Sequence, residues 1–312
     1  MSQTNNKLRI IFMGTPEFSL PGLQKLITEE TFEIVGVFTQ PDKPVGRNQT
    51  LSFPAVKKLA LENNLSVFQP NKIKDEIETI RNLKPDLIVV IAYGKIIPQS
   101  ILDIPTYGCI NVHASLLPKY RGAACLNAPI LNGDTETGVT IMRMEAGLDT
   151  GPILRQAKMK LIGNESLEIV HDELSNLGAE LLVATLLEFI AGKISAITQD
   201  DSAASYIKTL NKEDGKINWS KPAVEIERMV RAYNPWPGTY AMLEDKIIKI
   251  IAVENQILEL NNHKKGEAFQ NDGKLAIQCG QDSLVILKLQ LEGKKIMSAE
   301  EFLRGRKLNL LS

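Results

Sequence analysis

The stretch CINVHASLLP, residues 109–118, sets an amide and an imidazole two residues apart in an otherwise apolar run. In a β-strand that spacing puts both side chains on one face, so Asn111 and His113 point the same way. A buried amide beside a buried imidazole is costly unless both find partners. A single histidine in an apolar strand is most often a satisfied core residue, but here a second signal accompanies it. The run GVTIMRME at 138–145 reads as a further strand and ends in AGLDTG, 146–151. Asp149 therefore stands in a glycine-flanked loop at a strand end, where backbone freedom lets a carboxylate be aimed. Alone it would read as a turn former. With the Asn-x-His strand end it can supply a base, its orienter and an oxyanion donor. No metal is needed, since His171 and His263 have no ligand spacing to His113.

Such groups need rigid elements to hold them. Apolar runs at 8–13, 33–39, 66–69, 86–92 and 109–113 alternate with helical patterns near 55–63 and 74–83. Thr15 and Pro16 read as the cap and first residue of another helix. This order predicts an α/β fold, a doubly wound, mostly parallel sheet buried on both faces. Ligands bind such sheets beyond the carboxyl ends of their strands, and His113 sits at one. The first strand is followed by GTPEF, 14–18, rather than G-x-G-x-x-G, which excludes a dinucleotide cradle. Residues 40–54, QPDKPVGRNQTLSFP, form a long polar loop with the cations Lys43 and Arg47. Loops of that length in a compact domain tend to be functional or mobile.

A long amphipathic helix is expected over 166–191, and the polar, weakly patterned stretch 192–209 reads as a linker. Beyond it the character changes. A helical segment at 223–233 precedes strand-like runs at 246–253, 275–279 and 284–291, the pattern of a small β-barrel. The expected organisation is thus a catalytic domain, 1–191, a linker, 192–209, and a C-terminal domain, 210–312.

Composition agrees with this division. The chain has 312 residues, 44% hydrophobic and 23% charged, enough for two domains with separate cores. Its net charge of −1 carries no global signal for nucleic acid or membrane, but residues 208–312 hold 17 Lys and Arg against 14 Asp and Glu. That mild excess suits an anionic partner for the C-terminal part. Cys109, Cys125 and Cys279 are too widely spaced for a disulfide framework or a metal pair. The N-terminus has no secretory h-region and no long apolar run occurs, so a cytoplasmic location is expected.

The motifs extend over the whole chain: LRIIF at 8–12, VFTQPD at 37–42, AYG at 92–94, NVHASLLP at 111–118 and GLDTG at 147–151. INWS at 217–220, RAYNPWPG at 231–238 and GKKIMSAE at 293–300 follow. In these the chain resembles the methionyl-tRNA formyltransferases, a folate-dependent formyltransferase family. The Asn-x-His…Asp set is shared by folate-dependent formyltransferases at large and speaks to chemistry. The C-terminal motifs speak to the acceptor.

The resemblance implies a Rossmann-like formyltransferase domain followed by an OB-like, tRNA-binding β-barrel. It implies that Asn111, His113 and Asp149 are catalytic, that Ser115, Leu116, Leu117 and Pro118 form the folate-binding loop, and that the Arg47 loop holds the tRNA acceptor stem. The implied reaction moves the formyl group of 10-formyltetrahydrofolate to the α-amine of initiator methionyl-tRNA. This leaves tetrahydrofolate and supplies translation initiation, without a metal or a membrane, in a chain expected to act as a monomer. Further cations that could meet the tRNA are Lys294, Lys295, Arg304 and Arg306. One departure stands out: where the family usually has Pro-Ile-Gln after Arg-Gly-Ala-Ala, this chain has Cys125-Leu-Asn127. Asn127 keeps a shorter amide, and Cys125 removes a helix-start proline. Other readings stay open: formylation of an amino sugar or nucleotide, hydrolysis of formyltetrahydrofolate, and a non-catalytic tRNA- or folate-binding module. The first predicts a C-terminal part without the NPWPG segment and basic tail, and the last would tolerate loss of the three site residues.

Overall fold

Seven segments pair into one sheet: β1 (Leu8–Gly14), β2 (Phe32–Phe38), β3 (Val67–Phe68), β4 (Leu87–Ile91), β5 (Cys109–His113), β6 (Glu136–Arg143) and β7 (Ile153–Lys160). The structure, a computed structural model, describes residues 7–45, 50–305 and 311. The strand order is 3-2-1-4-5-6-7. Pairing is parallel from β3 through β5. This is the doubly wound arrangement that the alternation of apolar runs and helices predicts, with the order reversing between β1 and β4. All five residues of β4 are buried, which is why it lacks polar alternation. Each fully buried Val or Ile contributes about 1.5–3 kcal/mol.

At β6 the direction changes. It runs antiparallel to β5, with Asn111 opposite Met142 and His113 opposite Thr140. Helix Leu167–Ile190 packs on β5, and Gly178 permits the approach: a Cβ there would meet Val112 Cγ1 at 2.9 Å. Val112 thus faces this helix, and Asn111 and His113 face away from it.

Two details differ from the sequence reading. The first helix begins at Leu20, after a single 3₁₀ turn at Glu17–Ser19. Thr15 caps nothing, because its hydroxyl donates instead to the Tyr93 carbonyl at 3.0 Å and ties the ends of β1 and β4 together. The 40–54 segment is not wholly irregular: Lys43–Val45 and Thr50–Ser52 pair as a short antiparallel ribbon. At its base Asp42 accepts from Lys57 at 2.6 Å and from Gln69 at 2.8 Å. The hydrogen bonds from Gln69 and Lys57 hold the Asp42 pKa below its ordinary value.

The chain forms two compact units. The first takes the residues up to Gly122 together with Thr137–Met159 and His171–Ile207. Residues 192–207, most of the expected linker, therefore belong to this unit. Ile197 bridges Ile153, and Tyr206–Ile207 pair in parallel with Arg121–Gly122. The segment is held by polar contacts rather than by a periodic apolar face, so its sequence carries no packing pattern.

The second unit comprises Ala123–Glu136, Lys160–Val170 and the chain from Lys208 onward. Strands β8 (Thr239–Leu243), β9 (Lys246–Val253), β10 (Ala268–Asn271), β11 (Lys274–Gln278), β12 (Ser283–Leu291) and β13 (Ile296–Ser298) form its separate antiparallel sheet. Ile226 and Val230 of helix Ala223–Tyr233 are buried with Ile248, Ile277, Leu284 and Leu289 in one core. Such a sheet is consistent with a small barrel. Asn127 donates to the Ala232 carbonyl at 2.7 Å, so its shortened amide is buried and used.

The backbones of β6 and β7 approach closely at Gly138. A Cβ on Gly138 would fall 2.1 Å from the Ala157 carbonyl oxygen and 2.6 Å from Leu116 Cδ2. Gly138→Ala is expected to cost about 1–3 kcal/mol by overpacking, measured as a lower urea midpoint with an unchanged m-value.

Candidate active site

Strand β5 ends at His113 with both ring nitrogens facing defined groups. Nε2 lies 3.0 Å from the Tyr120 carbonyl oxygen. A carbonyl can only accept, so Nε2 carries the proton and donates. Nδ1 faces Asp149 Oδ2 at 3.7 Å, beyond a hydrogen bond but within electrostatic reach. His113 is 6% exposed. The orienting bond therefore comes from the Tyr120 main chain, and Asp149 addresses the nitrogen at which a proton can be gained. An imidazolium formed there would lie beside a carboxylate.

Asn111, on the same face, is half-buried. Among the described residues no hydrogen bond engages its side-chain amide, which keeps its donors for a third party. Asp149 Oδ2 accepts from the Gly122 N–H at 2.8 Å, and the residue adopts φ +55° between Gly147 and Gly151. This left-handed conformation turns the carboxylate back toward β5. The three residues that sequence spacing singled out thus share one neighbourhood, at the carboxyl end of a central strand.

The Ser115–Pro118 loop is fastened from beneath. The Ser115 hydroxyl donates to the Lys119 carbonyl at 2.6 Å. Thr140, opposite His113 in the register, donates to the Ser115 carbonyl at 2.6 Å and accepts from the Leu117 N–H at 3.1 Å. Gln156 adds bonds to the Leu117 carbonyl at 2.8 Å and to Thr140 Oγ1 at 2.9 Å. Ser115 and Leu117 are buried, while Leu116 and Pro118 remain half-buried. Arg47 lies outside the described residues.

Several of these parts escaped the sequence reading. Tyr120 and Gly122 act through main-chain atoms, which leave no side-chain signature. Arg121, only 1% exposed, donates to Gln199, Asp201 and Tyr206. Burial opposes its charge, yet Asp201 and Tyr206 hold its pKa above the ordinary value. Gln199 sits in a polar stretch with no pattern to mark it. Cavities of about 490 Å³ and 400 Å³ open at the other end of the sheet, beside Lys84, Asp103 and Gly108. They contain none of the residues named here. No group of three or more His, Cys, Asp or Glu among the described residues is placed to hold a metal ion.

Two family models match the chain: formyl transferase over residues 7–186, and formyl transferase, C-terminal domain, over residues 209–307. The chain belongs to the formyl transferase family. A methionyl-tRNA formyltransferase of Geobacter sulfurreducens is 48% identical over 96% of this chain and 95% of its own length. One of Clostridium novyi is 43% identical over 98% and 99%. Among solved structures, an N-formyltransferase of Helicobacter canadensis in complex with folinic acid and dTDP-3-aminofucose superposes with a TM-score of 0.66. It is 20% identical, covering 89% of this chain and 98% of its own. HypX of Aquifex aeolicus in complex with tetrahydrofolic acid gives 0.64 at 16% identity, covering 98% of this chain and 51% of its own. At these identities the solved structures speak for the formyl transferase fold alone.

For a formyl transferase the unengaged amide of Asn111 and the anchored ring of His113 are the groups to remove first. Asn111→Ala and His113→Ala are each expected to lower the rate of formyl transfer by about 10²–10⁴-fold with circular dichroism unchanged. A near-normal rate in both would make His113 an ordinary core residue.

Proposed function

We propose that the chain transfers the formyl group of 10-formyltetrahydrofolate to the α-amine of initiator methionyl-tRNA, giving N-formylmethionyl-tRNA and tetrahydrofolate in the cytoplasm. The observation that carries this reading is the 48% identity to a methionyl-tRNA formyltransferase over nearly the full length of both chains. A sugar formyltransferase would share the fold and the Asn-x-His…Asp set but not the C-terminal motifs.

In this reading the methionyl nitrogen attacks the formyl carbon. A C–N bond forms and the carbonyl electron pair moves to the formyl oxygen. Asn111, fixed on β5, donates to that oxygen as charge develops. A model α-amine has a pKa of about 8, so much of it is already nucleophilic near neutrality, and the demanding step is the transfer of its proton. His113 holds Nε2–H on the Tyr120 carbonyl and accepts that proton at Nδ1, with the Asp149 carboxylate beside it. When the tetrahedral species collapses, the bond to N10 breaks and N10 receives a proton. Ser115, Leu116, Leu117 and Pro118 form the loop against which the folate lies. Leu116 and Pro118 keep part of their apolar surface exposed for the ring system.

Residues 1–191 would carry this chemistry and residues 210–312 would bind tRNA as a barrel domain. Arg47 would meet the acceptor stem, with Lys294, Lys295 and Arg304, all exposed, as further phosphate contacts. Arg306 lies outside the described residues.

The test offers 10-formyltetrahydrofolate to the full chain with methionyl-tRNA, free methionine, a nucleotide-linked amino sugar, or no acceptor. Formylated methionyl-tRNA alone is the expected product. Formylation of the sugar, or formate released as fast without acceptor, would replace the reading by the corresponding alternative. In a salt series, log affinity for methionyl-tRNA should fall by about 0.7–0.9 per phosphate contact for each unit of log salt, and Lys294→Ala should flatten that slope. Arg47→Ala should lower kcat as well as raise KM, since a clamp near the reacting amine also orients it.

A further inference from the structure

Asp149 is held at both its ends by groups that trace back to one buried arginine. At the carboxylate, Oδ2 accepts from the Gly122 N–H at 2.8 Å. At the main chain, Gln199 Nε2 donates to the Asp149 carbonyl at 2.8 Å and to the Gly151 carbonyl at 2.6 Å. The other end of the same amide, Gln199 Oε1, accepts from Arg121 Nε at 3.1 Å and from an Arg121 terminal nitrogen at 2.8 Å. Arg121 immediately precedes Gly122, and its own N–H donates to the Ser205 carbonyl at 2.8 Å.

These contacts leave the glutamine one orientation. A guanidinium has only donors and a carbonyl only accepts. Turning the amide over would set NH₂ against the guanidinium and oxygen against two carbonyls. Arg121 is 1% exposed and Gln199 8%, so water cannot substitute for either partner. Two further Arg121 donors go to Asp201 Oδ1 at 2.7 Å and the Tyr206 hydroxyl at 2.7 Å. The loop that Gln199 grips contains Asp149 at φ +55°, a conformation that persists in a non-glycine residue only when its surroundings impose it.

We propose that Gln199, oriented by the buried Arg121, is a positioning residue for formyl transfer: it holds the main chain of the Asp149 loop so that the carboxylate keeps its place beside His113. This rests on reading Asp149 as part of the catalytic set. It makes residues 199–206, between the regions matched by the two family models, part of the active-site support. An oriented carboxylate acts through distance, and a displacement of about 1 Å is enough to lower turnover about 100-fold.

Gln199→Glu separates the two halves of the amide. It keeps an acceptor for Arg121, now as an ion pair, and removes the donor to the Asp149 and Gly151 carbonyls. The expected result is a kcat for methionyl-tRNA formylation lower by about 10- to 100-fold. Both KM values should stay within about twofold, with kcat compared well below a melting temperature that falls somewhat, since a carboxylate oxygen now faces the two carbonyls. In an Asp149→Asn background the same substitution should cost less than about twofold, because a positioning residue has nothing left to position. If Gln199→Glu fails to fold, Arg121→Lys is read the same way, since it replaces a two-pronged hold on Gln199 by a single donor. Parent-like kcat in the single variant, or an undiminished loss in the Asp149→Asn background, would overturn the proposal. Failure of the function itself looks different: the parent protein would not formylate methionyl-tRNA, or Asp149→Asn alone would turn over at the parent rate.

Discussion

A histidine buried at the end of a parallel strand needs a partner for its ring N–H, and part of the first unit is arranged around that requirement. Leaving Nε2 unpaired would cost about 1–3 kcal/mol. The answer to Nε2 is the Tyr120 carbonyl, which requires the chain to fold back within seven residues of leaving β5. Tyr120 adopts φ +60° and Gly122 φ +110° to make that return. At Gly122 a Cβ would stand 2.3 Å from the Ile207 carbonyl oxygen, so glycine is the residue that the turn admits. The same turn aims the Gly122 N–H at Asp149. One fold-back thus orients the imidazole and anchors the carboxylate that faces it.

The antiparallel β6 strand serves the same end. Running antiparallel, β6 brings Thr140 opposite His113 and puts a hydroxyl beneath the Ser115–Pro118 loop. Thr140 and Gln156 satisfy the loop's inner polar groups, leaving its outer surface to whatever binds there. Close approach of β7 at Gly138 keeps this underside compact.

In the second unit, the RAYNPWPG and GKKIMSAE segments prove to be partly structural. Arg231, which opens RAYNPWPG, grips Glu227 through two nitrogens and donates to the Glu165 carbonyl at 2.8 Å. In GKKIMSAE, the Ser298 hydroxyl accepts from the Glu301 N–H at 3.2 Å while Glu301 accepts from the Ser298 N–H at 2.8 Å. That is a capping box starting helix Ala299–Gly305. By contrast Trp236 is 58% exposed, and Lys294 and Lys295 lie open to solvent. The motifs therefore combine residues that build the domain with residues free to meet a partner.

Sequence by itself determined the α/β class, the strands that carry the site and the shared face of Asn111 and His113. These follow from local hydrophobic periodicity and from the two-residue repeat of a strand, which need no knowledge of neighbours. It also marked Asp149, because glycines on both sides announce an unusual backbone. What only the tertiary structure decided is how those groups are held. The direction of β6, the Thr140 anchor and the Arg121–Gln199 pair join residues far apart in the chain, and the Tyr120 carbonyl meets His113 through a turn that no residue type announces. Several of them act through main-chain atoms that every residue possesses. Residues 192–207 show the limit most clearly. A stretch that packs by hydrogen bonds at irregular intervals has no hydrophobic period to read, and its polar composition is that of a loop until the partners it binds are in place.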